Sequence, residues 1–142
     1  IFKLDAEAIA EKMIDGTEVT CGVYSKKNEI IPLPITEIVT QNEYFDYQAK
    51  YEGASDEITP ARISQKLTEK VQQTSVDIYK KLGLKGLVRI DYIIEDHQPV
   101  VIEINTVPGL SKESIVPKQL GVAGIDPAEF FRDLLLEAMH QD

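Results

Sequence analysis

The chain has 142 residues, enough to bury the core of one ordinary domain or of two small lobes, and 43% of them are apolar. A formal charge of -9 argues against a nucleic-acid interface, which needs a basic patch, so small molecules are the expected partners. The single cysteine excludes an internal disulfide and a cysteine-based zinc cluster, and no apolar run is long enough to span a membrane.

The first segment with a recognisable pattern covers residues 9–24. It predicts a strand pair or one bent strand, interrupted at the turn dipeptide Asp15-Gly16. A helix over Ala6–Ile14 is the local alternative.

A β-hairpin is predicted next. Val19–Tyr24 and Ile30–Ile35 have strand-like composition, and Lys26-Lys27-Asn28 between them is a candidate turn. Cys21 lies within the first of these apolar runs, and we expect it to be a small buried side chain.

The segment Thr40–Thr59 is polar and aromatic, with no sustained period. Connections of this length in compact domains are usually functional lids or disordered. Four aromatic residues favour an ordered lid, namely Tyr44, Phe45, Tyr47 and Tyr51.

A long helix is predicted over Ala61–Leu82. Thr59 is placed to cap it, Pro60 would occupy its first position, and Gly83 follows its end. Its predicted apolar stripe consists of Ile63, Leu67, Val71, Ile78 and Leu82.

Two helices are predicted near the C-terminus. Ser114–Leu120 is a short candidate, and a final helix opens with Asp126-Pro127 in a capping-box-like start. The final helix is expected to bury Phe130, Phe131, Leu134, Leu135 and Ala138. Strands, a long helix, a hairpin and further helices together predict an α+β fold in which helices pack on an antiparallel sheet.

The stretch Gly86–Gly109 contains two apolar runs of alternating pattern, joined by the polar residues Asp96-His97-Gln98. One hairpin register gives a continuous apolar face, pairing Ile90 with Ile104, Tyr92 with Ile102 and Ile94 with Val100. The same register pairs Asp91 with Glu103 and Arg89 with Asn105 on the other face. A slip of one residue would put the two acids on opposite faces.

Two carboxylates directly opposite each other repel, and a cation between them removes that repulsion. Asp91, Glu103 and the amide oxygen of Asn105 form an oxygen donor set of the kind that Mg²⁺ prefers, and Arg89 could contact phosphate. The turn Thr106–Gly109 could bring backbone N–H groups to a ligand. The alternative is a solvated hairpin face with an arginine–acid pair.

Several motifs agree with one family. They are EKMIDGTEVT from Glu11, YQAKY from Tyr47, RIDY from Arg89, EIN from Glu103 and PGLSKESIVP from Pro108. Together they resemble, in the same order and over essentially all of residues 1–142, the C-terminal part of the D-alanine:D-alanine ligases of the ATP-grasp superfamily. The resemblance implies a C-terminal ATP-grasp region. It also implies that an N-terminal domain and the start of the ATP-grasp module are absent, and we expect a fragment because the chain does not begin with Met.

For ATP, the resemblance implies that Glu11, Lys12 and Ile14 line the adenine pocket and that Glu18 holds the ribose hydroxyls. It implies that Lys50 binds the phosphates, as a point charge on a mobile loop can. Without the family resemblance, Glu18 would be interpreted as an exposed strand acid and Lys50 as a solvated loop residue.

For catalysis, the resemblance implies that Asp91, Glu103 and Asn105 hold two Mg²⁺ ions, with Mn²⁺ as an alternative. Arg89 would lie beside the transferring phosphate. Gly109 would offer its backbone N–H to the developing oxyanion.

At the acceptor side, Ser114 would bind the carboxylate of the second amino acid at a helix N-terminus, or else it is only a helix cap. Tyr51 would hydrogen-bond toward Ser114 and favour an amine acceptor. His97 and His140 do not look catalytic.

The implied activity is ATP-dependent joining of two D-alanines through an acyl phosphate, for peptidoglycan precursors, cell-wall synthesis and cell shape, in the cytoplasm. D-alanine and ATP would be the partners, without nucleic acid or membrane, and a homodimer is compatible with the resemblance. The fragment alone is expected to be inactive. Alternatives are another ATP-grasp carboxylate–amine ligase, a nucleotide-binding module or scaffold without catalysis, and a two-carboxylate glycosidase, for which the acids stand too close.

Overall fold

The computed structural model describes residues 6–27, 29–40 and 55–139. Its elements in chain order are β1 Thr17–Lys26, β2 Glu29–Pro32, β3 Thr36–Thr40, β4 Ser55–Ile58, α1 Gln65–Lys81, β5 Leu87–Glu95, β6 Gln98–Asn105, α2 Ile115–Ala123 and α3 Pro127–Met139. The strands pair antiparallel in the order β4-β3-β1-β5-β6, and β2 also pairs with β1. The predicted α+β class with an antiparallel sheet is confirmed.

Strand β1 is the centre of the sheet and is buried on both faces. Val19, Cys21 and Val23 point into the core under α1, and none of them is exposed to solvent. Burial raises the pKa of the Cys21 thiol to about 12, so it behaves as the small buried side chain that the sequence predicted. Tyr24, on the opposite face, packs edge to face on Phe130 of α3, with ring centroids 4.9 Å apart.

Helix α1 begins later than predicted, at Gln65 instead of Ala61. The backbone N–H of Ala61 donates to Ile35 O at 2.8 Å, and that of Arg62 donates to Glu37 Oε2 at 3.1 Å. These bonds attach the preceding segment to the strand region and keep it out of the helix. Ser64, not Thr59, is the N-cap, because its hydroxyl accepts from the N–H of Leu67 at 3.3 Å.

The buried face of α1 also differs in part from the predicted stripe. Leu67 and Val71 are buried as expected, whereas Leu82 is the exposed C-cap and Ile63 precedes the helix. Polar residues complete the buried face. Ser75 donates to Val71 O at 2.8 Å and lies 2.7 Å from the hydroxyl of Tyr92, while Tyr79 donates to Gly86 O at 2.7 Å. Satisfied hydroxyls can be buried at low cost, so apolarity alone did not identify this face.

Two strands were not predicted. The first hairpin forms as expected, but its second strand ends at Pro32, and the chain then enters β3. The segment predicted as a lid, Thr40–Thr59, contains β4 at its end, and β4 pairs with β3. Residues 41–54 of that segment lie outside the described residues.

The predicted strand or helix before Gly16 is also wrong. Residues 7–15 form neither, and two apolar side chains are largely exposed, Ile9 at 91% and Met13 at 76%. Within the described ranges, these side chains have no apolar cover that would stabilise regular structure.

Helices α2 and α3 cover the face of the sheet opposite α1. Gln119 of α2 is fully buried. Its Nε2 donates to Thr20 O and Thr36 Oγ1 at 3.1 Å, and its Oε1 accepts the N–H of Gly22 at 3.1 Å. Since every polar atom of this amide is bonded, Gln119 fixes α2 on the sheet.

Helix α3 begins as predicted, with Asp126 accepting the N–H of Glu129 at 3.3 Å. Of its predicted apolar residues Phe130 is buried and Leu134 is half-buried, but Phe131, Leu135 and Ala138 are exposed. Asp133 is buried and forms an ion pair with Lys26, with 2.8 Å between Asp133 Oδ2 and Lys26 Nζ. Among the described helices, none combines the length and apolarity that crossing a membrane requires.

Candidate functional site

The hairpin β5–β6 places the predicted metal residues together. Asp91 lies opposite Glu103, and Arg89 lies opposite Asn105, as the apolar pattern predicted. A two-residue turn at Asp96-His97, both with positive φ of 48° and 61°, closes the hairpin, as expected for a type I′ turn.

The register changes beyond the acids. Tyr92 faces Val101, not Ile102, and Ile94 faces Pro99, not Val100, because of a β-bulge next to Asp91. The predicted continuous apolar pairing is therefore wrong toward the turn, and Ile102 is 52% exposed. Bulges commonly re-aim side chains next to functional sites.

Asp91 is the best-bonded carboxylate at the site. Arg89 donates to it through both Nε, at 2.9 Å to Oδ1, and Nη2, at 2.8 Å to Oδ2. Thr20, directly opposite on β1, donates to Oδ1 at 2.5 Å. The arginine–acid pair that the alternative interpretation expected is thus present, although both side chains are largely shielded from solvent.

Glu103 is exposed on β6, and the Oδ1 atom of Asn105 accepts the N–H of Val107 at 3.1 Å. The donor set is two carboxylates and an amide, all hard oxygens, which fits Mg²⁺ in its chemistry. Within residues 6–27, 29–40 and 55–139 no three His, Cys, Asp or Glu side chains are grouped to hold a metal. These ligands would therefore need oxygens from elsewhere, such as phosphate, to complete an octahedral shell.

Arg89 is surrounded by acidic groups. The hydrogen bonds to Asp91 raise the pKa of its guanidinium most, and the charges of Asp91, Glu103 and Glu57 raise it further. Glu57 of β4 is paired with Lys118 of α2 at 2.8 Å. A guanidinium in these surroundings can bind an anion such as phosphate. A cation that arrives with the anion would offset the charge of the surrounding acids.

Gly109 and Ser114 meet at the start of α2. A Cβ on Gly109 would lie 2.8 Å from the Ser114 hydroxyl, so any other residue here would require that hydroxyl to move. Ser114 is the N-cap residue, but its side chain makes no capping hydrogen bond and instead lies 2.8 Å from the Ser111 hydroxyl. The helix-cap interpretation is correct for the position of Ser114 and wrong for its side chain.

The residues predicted for adenine and ribose lie at the start of β1. Glu11 and Lys12 are exposed, and Ile14 is half-buried, as is Glu18 on β1. Lys12 is 3.7 Å from Glu95 at the far end of β5. Glu18 is the cross-strand partner of Ile93, so it shares the sheet face of Arg89 and Asp91.

Two predicted residues, Lys50 and Tyr51, lie outside the described residues. The structure therefore brings together the metal set with Arg89, and separately Gly109 with Ser114. The roles of all these residues remain predictions.

Sequence reasoning missed four polar residues around the site, which are Thr20, Glu57, Lys118 and Gln119. A signal for Thr20 existed, because period-2 alternation puts it on the same face of β1 as Glu18. The others depend on how β4 and α2 pack, which no local pattern records.

The comparisons with known proteins point to one family. The family model described as D-ala D-ala ligase C-terminus matches residues 1–136. A D-alanine--D-alanine ligase of Flavobacterium johnsoniae is 51% identical over 134 residues, which are 94% of this chain and 42% of that protein. The chain thus spans about two fifths of the length of such relatives.

Two solved structures have the same fold. A D-alanine--D-alanine ligase from Bacillus anthracis complexed with ATP has a TM-score of 0.73 at 33% identity, covering 91% of this chain and 41% of that one. The VanG D-Ala:D-Ser ligase from Enterococcus faecalis has a TM-score of 0.73 at 31% identity, covering 87% of this chain and 36% of that one.

Proposed function

The chain belongs to the family of D-Ala-D-Ala ligase C-terminal regions, and from that premise we propose that the protein containing it joins two D-alanine molecules while converting ATP to ADP and phosphate. The product dipeptide would serve peptidoglycan precursor synthesis. The observation that carries the proposal is the pairing of Asp91 with Glu103 across β5 and β6, beside Arg89 and Asn105.

Asp91, Glu103 and Asn105 are the residues that would hold Mg²⁺, as two ions, or Mn²⁺ in its place. When bound, such ions neutralise charge on the phosphates of ATP. The fit rests on the donor chemistry and on the cross-strand pairing of Asp91 with Glu103. Arg89 now neutralises Asp91, and once Arg89 turns to phosphate a cation would relieve the repulsion between the two acids.

Arg89 would neutralise the transferring phosphoryl group. Its planar fork, now on Asp91, matches the geometry of phosphate as well as that of carboxylate. It is half-buried on the sheet face, which reduces competition from water. Positioning and charge neutralisation are the main contributions that proteins make to phosphoryl transfer.

The nucleotide would extend from this site toward the start of β1. Glu18, which shares the face of Asp91, would hold the ribose, and Glu11, Lys12 and Ile14 would line the adenine. Lys50 would bind the phosphates.

In the reaction, the carboxylate of the first D-alanine attacks the γ-phosphorus of ATP, giving an acyl phosphate and ADP. The neutral amine of the second D-alanine then attacks the acyl carbon, the bond from that carbon to the phosphate oxygen breaks, and the nitrogen gives up a proton to the departing phosphate or to solvent. The backbone N–H of Gly109 would stabilise the oxyanion formed in this second step. Ser114, next to Gly109, would bind the carboxylate of the acceptor, with Tyr51 shaping the same subsite.

The first test is phosphate release with D-alanine and ATP, measured on the full-length protein and on the 142-residue chain. We expect release with the full-length protein only. If the full-length protein releases phosphate only with a different carboxylate or amine substrate, the alternative of another ATP-grasp carboxylate–amine ligase replaces the proposal. If it binds ATP but releases no phosphate, the chain is a nucleotide-binding module.

We also propose a soluble cytoplasmic enzyme with small-molecule partners, assembled as a homodimer. Cell fractionation and light scattering after size-exclusion chromatography test the location and the dimer.

A further inference from the structure

Thr20 is a buried hydroxyl that bonds to a candidate metal ligand. Only 1% of it is exposed, it lies directly opposite Asp91, and it donates to Asp91 Oδ1 at 2.5 Å. A longer contact, 3.4 Å, joins the same hydroxyl to Ile90 O. The charged oxygen is therefore the main partner of this hydroxyl.

The two oxygens of Asp91 are bonded unequally. Oδ1 accepts from Thr20 and from Nε of Arg89, whereas Oδ2 accepts, among the residues that the structure describes, only from Nη2 of Arg89. If Arg89 turns away to phosphate, Oδ2 becomes free to bind a cation. Oδ1 remains held by Thr20, so the carboxylate keeps its orientation.

The position of Thr20 is itself fixed. Its carbonyl accepts from Gln119 Nε2 at 3.1 Å, and Gly22, two residues on, donates to Gln119 Oε1 at 3.1 Å. Threonine is also stiff about χ1, because it is branched at Cβ. The hydroxyl is therefore presented to Asp91 by a rigid frame built from β1 and α2.

We propose that Thr20 is a positioning residue that holds the Asp91 carboxylate in the orientation required to bind a divalent cation. The inference rests on the proposed function. It assigns a task to Thr20, the last residue of the EKMIDGTEVT motif, for which the resemblance implied no role. Partners of this kind orient metal ligands and commonly affect metal affinity strongly.

The test is a Mn²⁺ titration followed by electron paramagnetic resonance, on the full-length protein with a non-hydrolysable ATP analogue, corrected for Mn²⁺ bound by the analogue alone. Thr20→Val keeps the shape of the side chain and removes its hydroxyl, and Thr20→Ser keeps the hydroxyl. Thr36→Val is the matched control. Thr36 is fully buried on β3 directly opposite Thr20, and its hydroxyl bonds to Gln119 and Thr59 at 3.1 and 2.7 Å.

We expect Thr20→Val to weaken Mn²⁺ binding about tenfold, with Thr20→Ser and Thr36→Val within about twofold of the wild type. Circular dichroism and thermal melts report folding, and if Thr20→Val is unfolded, Thr20→Ala is compared with Thr20→Ser instead.

Wild-type affinity in the variant without the hydroxyl overturns the inference. An equal loss in Thr20→Ser or in Thr36→Val also overturns it, because the effect would then be general loosening of the sheet. If the wild-type protein itself binds no Mn²⁺ beyond the analogue control, the proposed function falls together with the inference.

Discussion

The amide oxygen of Gln119 lies 3.1 Å from the backbone nitrogen of Gly22, and the same oxygen would lie only 2.7 Å from a Cβ at that position. Helix α2 can approach β1 this closely because Gly22 has no side chain. Leu33 Cδ1, at 2.8 Å from the same point, closes the space from another side.

Gly22→Ala should therefore separate α2 from the sheet. We expect a loss of about 1–3 kcal/mol in the free energy of unfolding, from overpacking and disturbed hydrogen bonds. Urea denaturation measures it. Gly121→Ala is the control, because it is in α2 with nothing within 4 Å of the added Cβ, and it should stabilise by about 0.5–1 kcal/mol. Equal stability of the two variants would contradict the close approach.

The metal assignment predicts that Asp91→Asn or Glu103→Gln abolishes dipeptide formation and leaves the fold intact. We expect activity to fall by more than about 100-fold, since losing even a partner of a metal ligand commonly costs 10- to 100-fold. Phosphate release measures activity, and circular dichroism measures the fold. Asp96→Asn makes the same chemical change in the turn of this hairpin, where positive φ suits asparagine, and should retain activity. An active Glu103→Gln enzyme would remove the metal assignment.

Ser114→Ala separates substrate binding from helix capping. Its hydroxyl makes no capping bond, so we expect little change in stability but about a tenfold rise in KM for the acceptor D-alanine, from loss of a hydrogen bond to a carboxylate. Ser64→Ala is the counterpart, because Ser64 does cap α1. It should lower stability by about 1 kcal/mol and leave KM unchanged. A melting temperature lowered by Ser114→Ala with unchanged KM would support the cap instead.

Glu37 and Arg62 predict a pH dependence of stability. Hydrogen bonds from Arg62 lower the pKa of the Glu37 carboxyl below its ordinary value of 4.5. This pair therefore stabilises the fold fully when the pH is above the ordinary pKa of 4.5. The stabilisation is lost as the pH falls through the lowered pKa of Glu37. We expect Arg62→Met to make the loss of stability on acidification less steep, measured by thermal melts between neutral pH and pH about 3. Arg132→Met removes an exposed pair with Glu129 and should leave the pH profile unchanged.

The sequence predicted the acid pairing because Ile90 and Ile104 have polar neighbours on both sides, which defines the phase of the alternation. It could not predict the bulge. Val100, Val101 and Ile102 are apolar in succession, so they carry no period-2 information and either phase looks equally good.

The predicted start of α1 was wrong for a different reason. Thr59 and Pro60 are good helix-start residues, but Ala61 and Arg62 donate their N–H groups to the β3 region instead. Such tertiary bonds override local preference, and they leave no mark in the sequence of the segment itself. The burial of Gln119 could not be predicted for the same reason, since its hydrogen-bond partners on β1 and β3 lie far away along the chain.

The bulge between Asp91 and Tyr92 has a consequence for how this hairpin can vary. The extra residue shifts the pairing register by one. The register at the end that carries the acids therefore does not depend on the register at the end that carries the turn. A one-residue insertion or deletion near Asp96-His97 could be absorbed by losing or moving the bulge, without rotating either carboxylate off the shared face. The hairpin thus tolerates changes in length at its tip while its chemistry stays aligned.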